Sequence, residues 1–371
     1  MTDFTTGYVH APTTLTIDLD ALARNFTLLA KTAAPAEPSA VIKANGYGLG
    51  DEIVAKTLHA AGCRRFFTAH LDEAIRVRAA LPDPAVEIGV LNGLLPGHEA
   101  AYREHSLFPT LNDLGQIDRW SVICDEYGPL PAAVHVDTGM RRLGLPPDET
   151  VVLASDPGRM RFPCRYLMSH LACADTPAHP LNREQLAAFT SAVAKIPHEK
   201  AVLANSSGVF LGPEYHFDMI RPGVSLYGGR PNTDGPNPME QVIRLEAKIL
   251  QIRHVDAPQT VGYGAAHTVE GPGRIATIGV GYADGYLRSL SGCSSASIDG
   301  IRVPLVGRVS MDLLTFDITE APKASVGDTL VLIGPDYTID ELADDAGTIG
   351  YEVLTSLGQR YLRRYTGGAA G

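Results

Sequence analysis

The sequence is poor in cysteine and has no long apolar run. Its five cysteines, Cys63, Cys124, Cys164, Cys173 and Cys293, are an odd number without CxxC spacing, which argues against a disulfide framework and a zinc site. No apolar run approaches the roughly 20 residues that span a bilayer. The N-terminal segment also lacks the pattern of a secretory signal. We therefore expect free thiols, no metal site, no membrane partner and a cytoplasmic location.

Positive charge is also scarce. The chain has 31 Lys and Arg against 42 Asp and Glu, a formal net charge of −11, which disfavours a nucleic acid or an anionic membrane surface as partner. An anionic ligand must then be bound by locally placed donors. The 371 residues are 45% hydrophobic and 20% charged, which is typical of a folded chain with one larger and one smaller domain.

Short β-branched or aromatic runs alternate with segments of helical period over the first two thirds of the chain. The strand candidates are TLTIDL from Thr14, AVIKANG, RRFFTAH, AVEIGVLNG, SLFPTLN, AAVHVDTG, CRYLMSHLA and KAVLANSSG. This alternation predicts βα units and a parallel sheet. So many parallel units favour a closed (β/α)8 barrel of the TIM type over an open sheet.

After about Val242 the composition changes to dense Val, Ile, Thr and Gly, which predicts a smaller, mainly-β C-terminal domain. The segments IDELADDAG and YEVLTSLG are its expected helices, and the loop GGRPNTDGPNPMEQ suits the connection between the domains. We predict a cofactor-binding barrel at residues 12–240 and the C-terminal β domain at residues 241–371. Residues 1–11 are a candidate addition to the second domain.

Two segments carry chemistry. In AVIKANGYGLG an apolar strand delivers Lys43 to its C-terminal end, where barrels bind their substrates. A partly desolvated amine has a lowered pKa and can form an imine with an aldehyde cofactor. In FDMIRPGVSLYGG, Arg221 precedes a Pro-Gly turn, and ANSSG adds two hydroxyls; such donors can hold a phosphate. Taken singly, each segment also fits an ordinary barrel loop.

Together these segments resemble the alanine racemase family, barrel-type (fold-type III) enzymes that depend on pyridoxal 5'-phosphate. The resemblance covers essentially the whole chain. Its motifs, in the family's order, are Lys43, Tyr47, HVDTGMRRLG from His135, SHLACAD from Ser169, Asn205–Ser206, Arg221–Gly223, VGYG around Tyr263, YADGY from Tyr282 and GRVSMD from Gly307. The resemblance implies racemisation of L-alanine to D-alanine, which in a bacterium supplies D-alanine for peptidoglycan.

The resemblance also implies a cofactor site in which Lys43 forms the imine. The other implied cofactor-binding residues are Tyr47, His170, Asn205, Ser206, Arg221, Gly223, Val224 and Tyr227. Arg221 would face the pyridine nitrogen. Because a guanidinium does not release its proton, that nitrogen must accept, and the ring stays unprotonated. An uncharged ring is a poorer electron sink, which favours racemisation over transamination.

Racemisation needs acid/base groups on both faces of the substrate Cα. Lys43 is one, and the resemblance implies that Tyr263 of the partner subunit in a homodimer is the other. A tyrosine must have its pKa lowered to act as a base. The implied substrate-binding residues are Arg142 and the Met311 backbone at the carboxylate, Asp312 as a brace for that loop, and Tyr282 and Tyr286 at a narrow entrance.

Three positions depart from the family pattern. His135 stands where many members have a carbamylated lysine that orients the equivalent of Arg142. We expect His135 either to hydrogen-bond this network directly or, when protonated, to leave room for an anion such as chloride. Gln359 replaces a tyrosine that contacts the phosphate in some members, and Leu49 replaces a common histidine.

Other functions fit parts of the pattern. A racemase for serine or a larger amino acid would use the same residues with a different entrance. A fold-type III amino-acid decarboxylase shares the lysine and the phosphate loop but normally supplies a catalytic cysteine. A cofactor-binding homeostasis protein usually ends after the barrel, and a barrel hydrolase without cofactor would be colourless.

Overall fold

The structure is a computed structural model that describes residues 4–256 and 258–368. Residues 1–3, 257 and 369–371 of the predicted domains lie outside the described residues. The chain divides into two compact units. The barrel unit comprises Ala23–Leu226 and Arg230–Pro238, and the β-rich unit comprises the described parts of Met1–Leu22, Tyr227–Gly229 and Met239–Gly371. Within the described ranges, no helix combines the length and the apolar character needed to cross a membrane.

The barrel unit contains a parallel sheet of nine hydrogen-bonded segments, two of which are halves of one strand. In order around the sheet they are Glu37–Pro38, Met219–Ile220, Lys200–Val202, Cys164–Met168, Ala132–His135, Phe108–Leu111, Glu87–Val90, Arg65–Thr68 and Ala40–Val41. Glu37–Pro38 and Ala40–Val41 are separated only by Ser39. The first half pairs with Met219–Ile220 and the second with Arg65–Thr68. This split strand closes the sheet, so the predicted (β/α)8 barrel is confirmed.

Apart from Leu19–Ala33, which precedes the first barrel strand, the helices of the first two thirds of the chain follow these strands. They are Leu19–Ala33, Asp51–Ala60, Leu71–Ala80, Glu99–Glu104, Leu114–Tyr127, Pro147–Ser155 and Leu181–Val193, with the short segment Lys43–Tyr47 described below. The strands are buried almost continuously, as in Phe108–Leu111, where every residue is buried. Continuous burial is expected of parallel strands that are covered on both faces.

The β-rich unit is built on a mixed sheet of nine strands within the described residues. They are Phe4–Gly7, Thr13–Asp18, Ile243–Val255, Gly273–Ile278, Ser295–Ile298, Ile301–Pro304, Leu314–Asp317, Thr329–Ile333 and Leu362–Thr366. A separate hairpin pairs Gln259–Val261 with His267–Val269. The helices Ile339–Ala346 and Gly350–Ser356 coincide with the two predicted from the sequence. The predicted mainly-β C-terminal part is confirmed.

One strand prediction is wrong. TLTIDL, expected to be a barrel strand, forms Thr13–Asp18 in the β-rich unit, where it pairs with Ile243–Val255 and Leu362–Thr366. The remaining barrel position is taken by Met219–Ile220, which the sequence had suggested only as part of a phosphate loop. The residues of Thr13–Asp18 alternate between buried and half-buried. Such alternation is typical of a sheet with two unlike faces, whereas strands that are covered on both faces are buried almost continuously.

Candidate active site

A cavity of about 300 Å³ lies at the C-terminal ends of the barrel strands. Its lining residues are Lys43, Ala69, Leu91, Asn92, Thr110, His135, Met140, Arg142, Leu143, Met168, His170 and Arg221. The carboxyl ends of parallel strands meet at one rim of a barrel, which is where such barrels bind substrates. The barrel therefore brings together four residues predicted from the sequence: Lys43, Arg142, His170 and Arg221.

Lys43 follows strand Ala40–Val41 and is partly buried. Burial lowers the pKa of its ammonium, and the charges of Arg142 and Arg221 lower it further, while Glu73 acts in the opposite direction. A lowered pKa increases the fraction of neutral amine at a given pH. Only the neutral amine attacks a carbonyl carbon, so the cavity favours imine formation by Lys43.

The four residues after Lys43 form a left-handed turn. Ala44, Asn45, Gly46 and Tyr47 have φ angles of 55°, 55°, 61° and 53°. L-residues other than glycine adopt this conformation at a cost of about 1 kcal/mol each, so the surrounding structure must hold it. The turn brings the Tyr47 hydroxyl against Gly223, where a Cβ would overlap the hydroxyl oxygen. A side chain at position 223 would therefore displace the Tyr47 hydroxyl.

Arg221 follows strand Met219–Ile220 and is 5% exposed. Burial lowers the pKa of its guanidinium to about 10, so the group remains a cation at neutral pH. One terminal nitrogen, Nη2, donates to the Ser169 carbonyl at 2.8 Å. The buried Nε has no hydrogen-bond partner among the described residues. Because unpaired buried donors are rare in folded proteins, this nitrogen fits a ligand that supplies an acceptor, such as a pyridine nitrogen.

A cluster of hydroxyl and amide groups lies between Ser206 and the turn at Gly223. Ser206 Oγ accepts hydrogen bonds from the Gly223 and Ser225 N–H groups at 2.9 and 3.2 Å, which leaves its own hydroxyl proton free to donate. Ser225 Oγ is buried without a hydrogen-bond partner in the described part of the chain. Converging donors of this kind suit a phosphate.

The other residues predicted at this part of the site are buried or bonded to their own loop. Val224 and Tyr227 are buried in the short 3-10 helix Val224–Tyr227. Asn205 Oδ1 accepts the Gly208 N–H at 2.9 Å, so its side chain stabilises its own loop. Leu49, at one of the positions that depart from the family pattern, is fully buried.

Two histidines face the cavity as neutral rings. His135 Nδ1 lies 2.9 Å from Asn112 Oδ1. Burial lowers the pKa of His135 to about 3, and Arg221 and Arg142 contribute in the same direction. Burial and Arg221 likewise lower the pKa of His170 well below its usual value. Of the two alternatives for His135, the direct hydrogen bond agrees with this environment, which opposes the protonated ring.

In the β-rich unit, Tyr263 lies at the tip of the hairpin formed by Gln259–Val261 and His267–Val269. Gly262 and Gly264 on either side have φ angles of 76° and 69°, which glycine adopts without steric cost. The Tyr263 side chain is 71% exposed. The hairpin therefore presents this phenol outward.

The segment that carries Met311 and Asp312 is held by an arginine that the sequence analysis did not find. Arg360 binds both oxygens of Asp284, at 2.7 and 2.8 Å, and Asp312 at 2.8 Å. The Ala283 N–H donates to the Met311 carbonyl at 3.0 Å, and Met311 is 53% exposed. Asp312 thus contributes to a brace of its loop, with Arg360 as the central cation.

The two tyrosines expected at an entrance differ. Tyr282 is exposed, but Tyr286 is 3% exposed, and its hydroxyl lies 2.9 Å from Ser294 Oγ in the β-rich unit. The prediction that Tyr286 lines an entrance is wrong, because its side chain is enclosed by its own unit. Gln359, which precedes Arg360, is exposed.

Comparison with known proteins decides the family. The family models of the alanine racemase N-terminal and C-terminal domains match residues 17–231 and 242–365. The chain belongs to the alanine racemase family. The alanine racemase of Rhodospirillum rubrum is 50% identical over 363 residues, with 96% of this chain and 97% of that protein covered. The catabolic alanine racemase of Agrobacterium fabrum is 47% identical, with 95% and 91% covered.

The alanine racemase fold is also evident from solved structures. The alanine racemase of Bartonella henselae, a structure with covalently bound pyridoxal phosphate, superimposes with a TM-score of 0.92 at 40% identity and covers 95% of this chain and 99% of that one. The biosynthetic alanine racemase of Pseudomonas aeruginosa gives a TM-score of 0.89 at 34% identity, with 96% and 100% covered.

Four residues that support this alanine racemase site were missed from the sequence: Asn112, Ser225, Glu73 and Arg360. Asn112 follows a barrel strand, and Ser225 lies in the quoted turn segment, so the strand-end and hydroxyl criteria used for their neighbours would have found both. Glu73 and Arg360 carry no local signal. Their roles depend on partners 29 and 76 residues away along the chain.

Proposed function

We propose that this protein interconverts L- and D-alanine with pyridoxal 5'-phosphate held in the barrel cavity. The observation that carries the proposal is a single cavity of about 300 Å³ that contains a lysine of lowered pKa and the buried, cationic Arg221. When bound, the cofactor withdraws electrons from the substrate and so acidifies its Cα–H bond. The protein must supply the binding contacts and the proton transfers.

We assign the cofactor contacts as follows. Lys43 would bind covalently through Nζ, and the unpartnered Nε of Arg221 would donate to the ring nitrogen. The hydroxyls of Tyr47, Ser206 and Ser225 would hold the phosphate at the turn of Gly223 and Val224. His170, whose pKa is lowered by burial and by Arg221, would lie beside the ring. Asn205 and Tyr227 stabilise these loops without contacting the cofactor themselves.

For the proton transfers, we propose that Lys43 Nζ serves one face of the substrate Cα and that the Tyr263 hydroxyl of the partner subunit serves the other. The exposure of Tyr263 supports this arrangement, since a phenol at a hairpin tip is available to a second chain. Arg142 and the Met311 backbone hold the substrate carboxylate, Asp312 braces the Met311 segment, and Tyr282 limits substrate size by exclusion. The two predicted domains, residues 12–240 and 241–371, keep these proposed roles, except that residues 12–22 belong to the β-rich unit.

The biological role follows from the thermodynamics. Enantiomers have equal free energies in water, so the enzyme only relaxes the L to D ratio toward one. Its use depends on a process that consumes one enantiomer, and we propose peptidoglycan synthesis as the consumer of D-alanine. The described cysteines are free thiols, which suits the reducing cytoplasm.

The first experiment is proton exchange at Cα of L-alanine by the purified holoenzyme in D₂O, followed by NMR and chiral separation. We expect deuterium in both enantiomers and a ratio that drifts to one. A yellow protein that exchanges serine but not alanine would indicate the alternative specificity, and release of CO₂ would indicate a decarboxylase. A colourless protein after addition of pyridoxal phosphate would contradict the cofactor assignment.

A second experiment tests the shared site. Lys43→Ala and Tyr263→Phe chains are each expected to be inactive, but a hybrid dimer regenerates one site with both native residues. With random pairing, half of the dimers are hybrids, and each hybrid has one native site out of two. Co-expression should therefore restore about a quarter of the activity of the same amount of wild-type protein. If Tyr263 acted within its own chain, each site would retain one defect, and mixing would restore nothing.

A further inference from the structure

The backbone immediately after Lys43 is bound by a carboxylate from the next βα unit. Glu73, in helix Leu71–Ala80, is 9% exposed. Its Oε1 accepts the Ala44 N–H at 2.7 Å, and its Oε2 accepts the N–H groups of Ala69 and His70 at 2.9 and 3.1 Å. One carboxylate therefore joins the loops that follow two neighbouring barrel strands.

The left-handed turn at residues 44–47 makes this bond important. Within the turn, the Gly46 N–H donates to the Ile42 carbonyl at 3.0 Å and the Gly48 N–H donates to the Ala44 carbonyl at 2.8 Å. The Ala44 N–H instead donates to Glu73. Loss of the carboxylate would therefore deprive the Ala44 N–H of this partner. The bond opposes the strain of a turn in which three residues other than glycine have positive φ.

Glu73 also changes the charge around the lysine. The ionisable groups that face Lys43 are Arg142, Arg221, His135, His170 and Glu73. The two arginines and burial favour the neutral amine, whereas the charge of Glu73 favours the ammonium. The hydrogen bonds to three N–H groups hold this negative charge in place, since a carboxylate accepts from several donors at once.

We propose that Glu73 is a positioning residue for Lys43: it fixes the left-handed turn that directs the lysine into the cavity and balances the arginine charges around its amine. The inference rests on the proposed function of Lys43 as the cofactor-binding lysine. It assigns Glu73 no contact with substrate or cofactor. Its effect passes through the backbone at Ala44 and through charge.

The test measures the amine directly in cofactor-free enzyme. Trace acetylation with acetic anhydride over a pH series, read by mass spectrometry at the Lys43 peptide, gives the midpoint of Lys43 reactivity. Glu73→Gln should move this midpoint to lower pH by about 1 unit, because a nearby negative charge is removed. Glu73→Asp should retain the wild-type midpoint because it retains the charge. The matched control is Asp72→Asn, which removes the same charge from an exposed neighbour and should leave the midpoint unchanged.

If Glu73→Gln does not fold, the proposal can still be tested on the wild-type protein by measuring hydrogen exchange at the Ala44 amide. The Ala44 amide should exchange at least about 100-fold more slowly than a free amide, because it is bonded to a buried carboxylate. Exchange at the free rate, or an unmoved Lys43 midpoint in folded Glu73→Gln, overturns the proposal. Neither readout depends on turnover. A shifted midpoint in a protein that does not racemise alanine would reject the proposed function and leave the role of Glu73 intact.

Discussion

The two groups of functional residues differ in how the chain holds them. In the barrel unit, Arg221 is buried and Lys43 and His170 are partly buried, and burial is the largest cause of each pKa shift. In the β-rich unit, Tyr263 and Met311 are exposed, and the Met311 segment is held by the ion pairs of Arg360 and by backbone hydrogen bonds. The barrel thus prepares a site for a cofactor within one chain, whereas the β-rich unit presents groups that one chain leaves uncovered.

Replacing Lys43 should remove the ability of the barrel unit to bind the cofactor covalently. In Lys43→Ala, racemisation of alanine should fall by more than about 10⁴-fold, because the covalent link and one proton-transfer group are both lost. The near-visible absorbance of lysine-bound cofactor should disappear with it. Chiral chromatography and a spectrum of the purified variant measure both. Lys195→Ala, at an exposed position, is the control, and retention of colour and activity in Lys43→Ala would refute the assignment.

Replacing Tyr263 should separate the contribution of the β-rich unit to proton transfer from the contribution of the barrel unit to cofactor binding. Tyr263→Phe should keep the cofactor absorbance, since the barrel contacts are untouched, while racemisation falls by about 10²- to 10⁴-fold through loss of one acid/base group. Exchange at Cα from the lysine face should survive better than inversion, which D₂O exchange followed by chiral separation measures. Equal loss of cofactor and activity would show that Tyr263 serves binding instead.

Loosening the brace of the β-rich unit should have a smaller effect. Arg360→Lys keeps a cation but cannot bind both Asp284 oxygens and Asp312 together. A displaced Met311 segment should lower kcat/KM for alanine by about tenfold, mainly through KM, with the cofactor spectrum unchanged. The control is Arg302→Lys, which alters the exposed pair with Glu341 in the same unit. An unchanged KM would mean that the brace does not position the substrate contact.

The last prediction concerns stability instead of catalysis and tests the partly buried imidazole of His135 in the barrel. With a pKa of about 3 when folded and about 6.5 when unfolded, His135 binds its proton first in the unfolded chain. The stability that this difference contributes is present above pH 6.5 and is lost as the pH falls toward 3, by up to about 1.4 kcal/mol per pH unit.

In cofactor-free His135→Asn, the free energy of unfolding should therefore fall less steeply than in the wild type between pH 6.5 and 5. Urea unfolding at several pH values measures the slope. His254→Asn, at an exposed position, should keep the wild-type slope. An identical slope in the variant would show that the His135 ring takes up its proton over the same pH range in the folded and the unfolded chain.

What could be predicted from the sequence follows from the geometry of parallel strands. Lys43 and Arg221 each follow a strand end, and closure of the barrel brings strand ends together, so these two could be predicted from the local sequence. His135 and His170 lie at the same rim, but the resemblance to the family was needed to single them out. The sheet that contains Thr13–Asp18 could not be chosen by order along the chain, because its partners begin at Ile243 and Leu362. The burial of Tyr286 likewise depends on packing with Ser294 and the surrounding unit.

The split strand at Ser39 has a consequence for the order of folding. Its first half pairs with a segment about 180 positions later, Glu37 with Met219, and its second half leads directly to Lys43. Contacts between such distant segments form slowly, because a long loop must be closed before they contribute. A nascent chain shorter than about 220 residues lacks this pairing. Binding of the cofactor by Lys43 should then be among the last events of folding. The rate at which the absorbance of lysine-bound cofactor appears would then measure the rate at which the barrel closes.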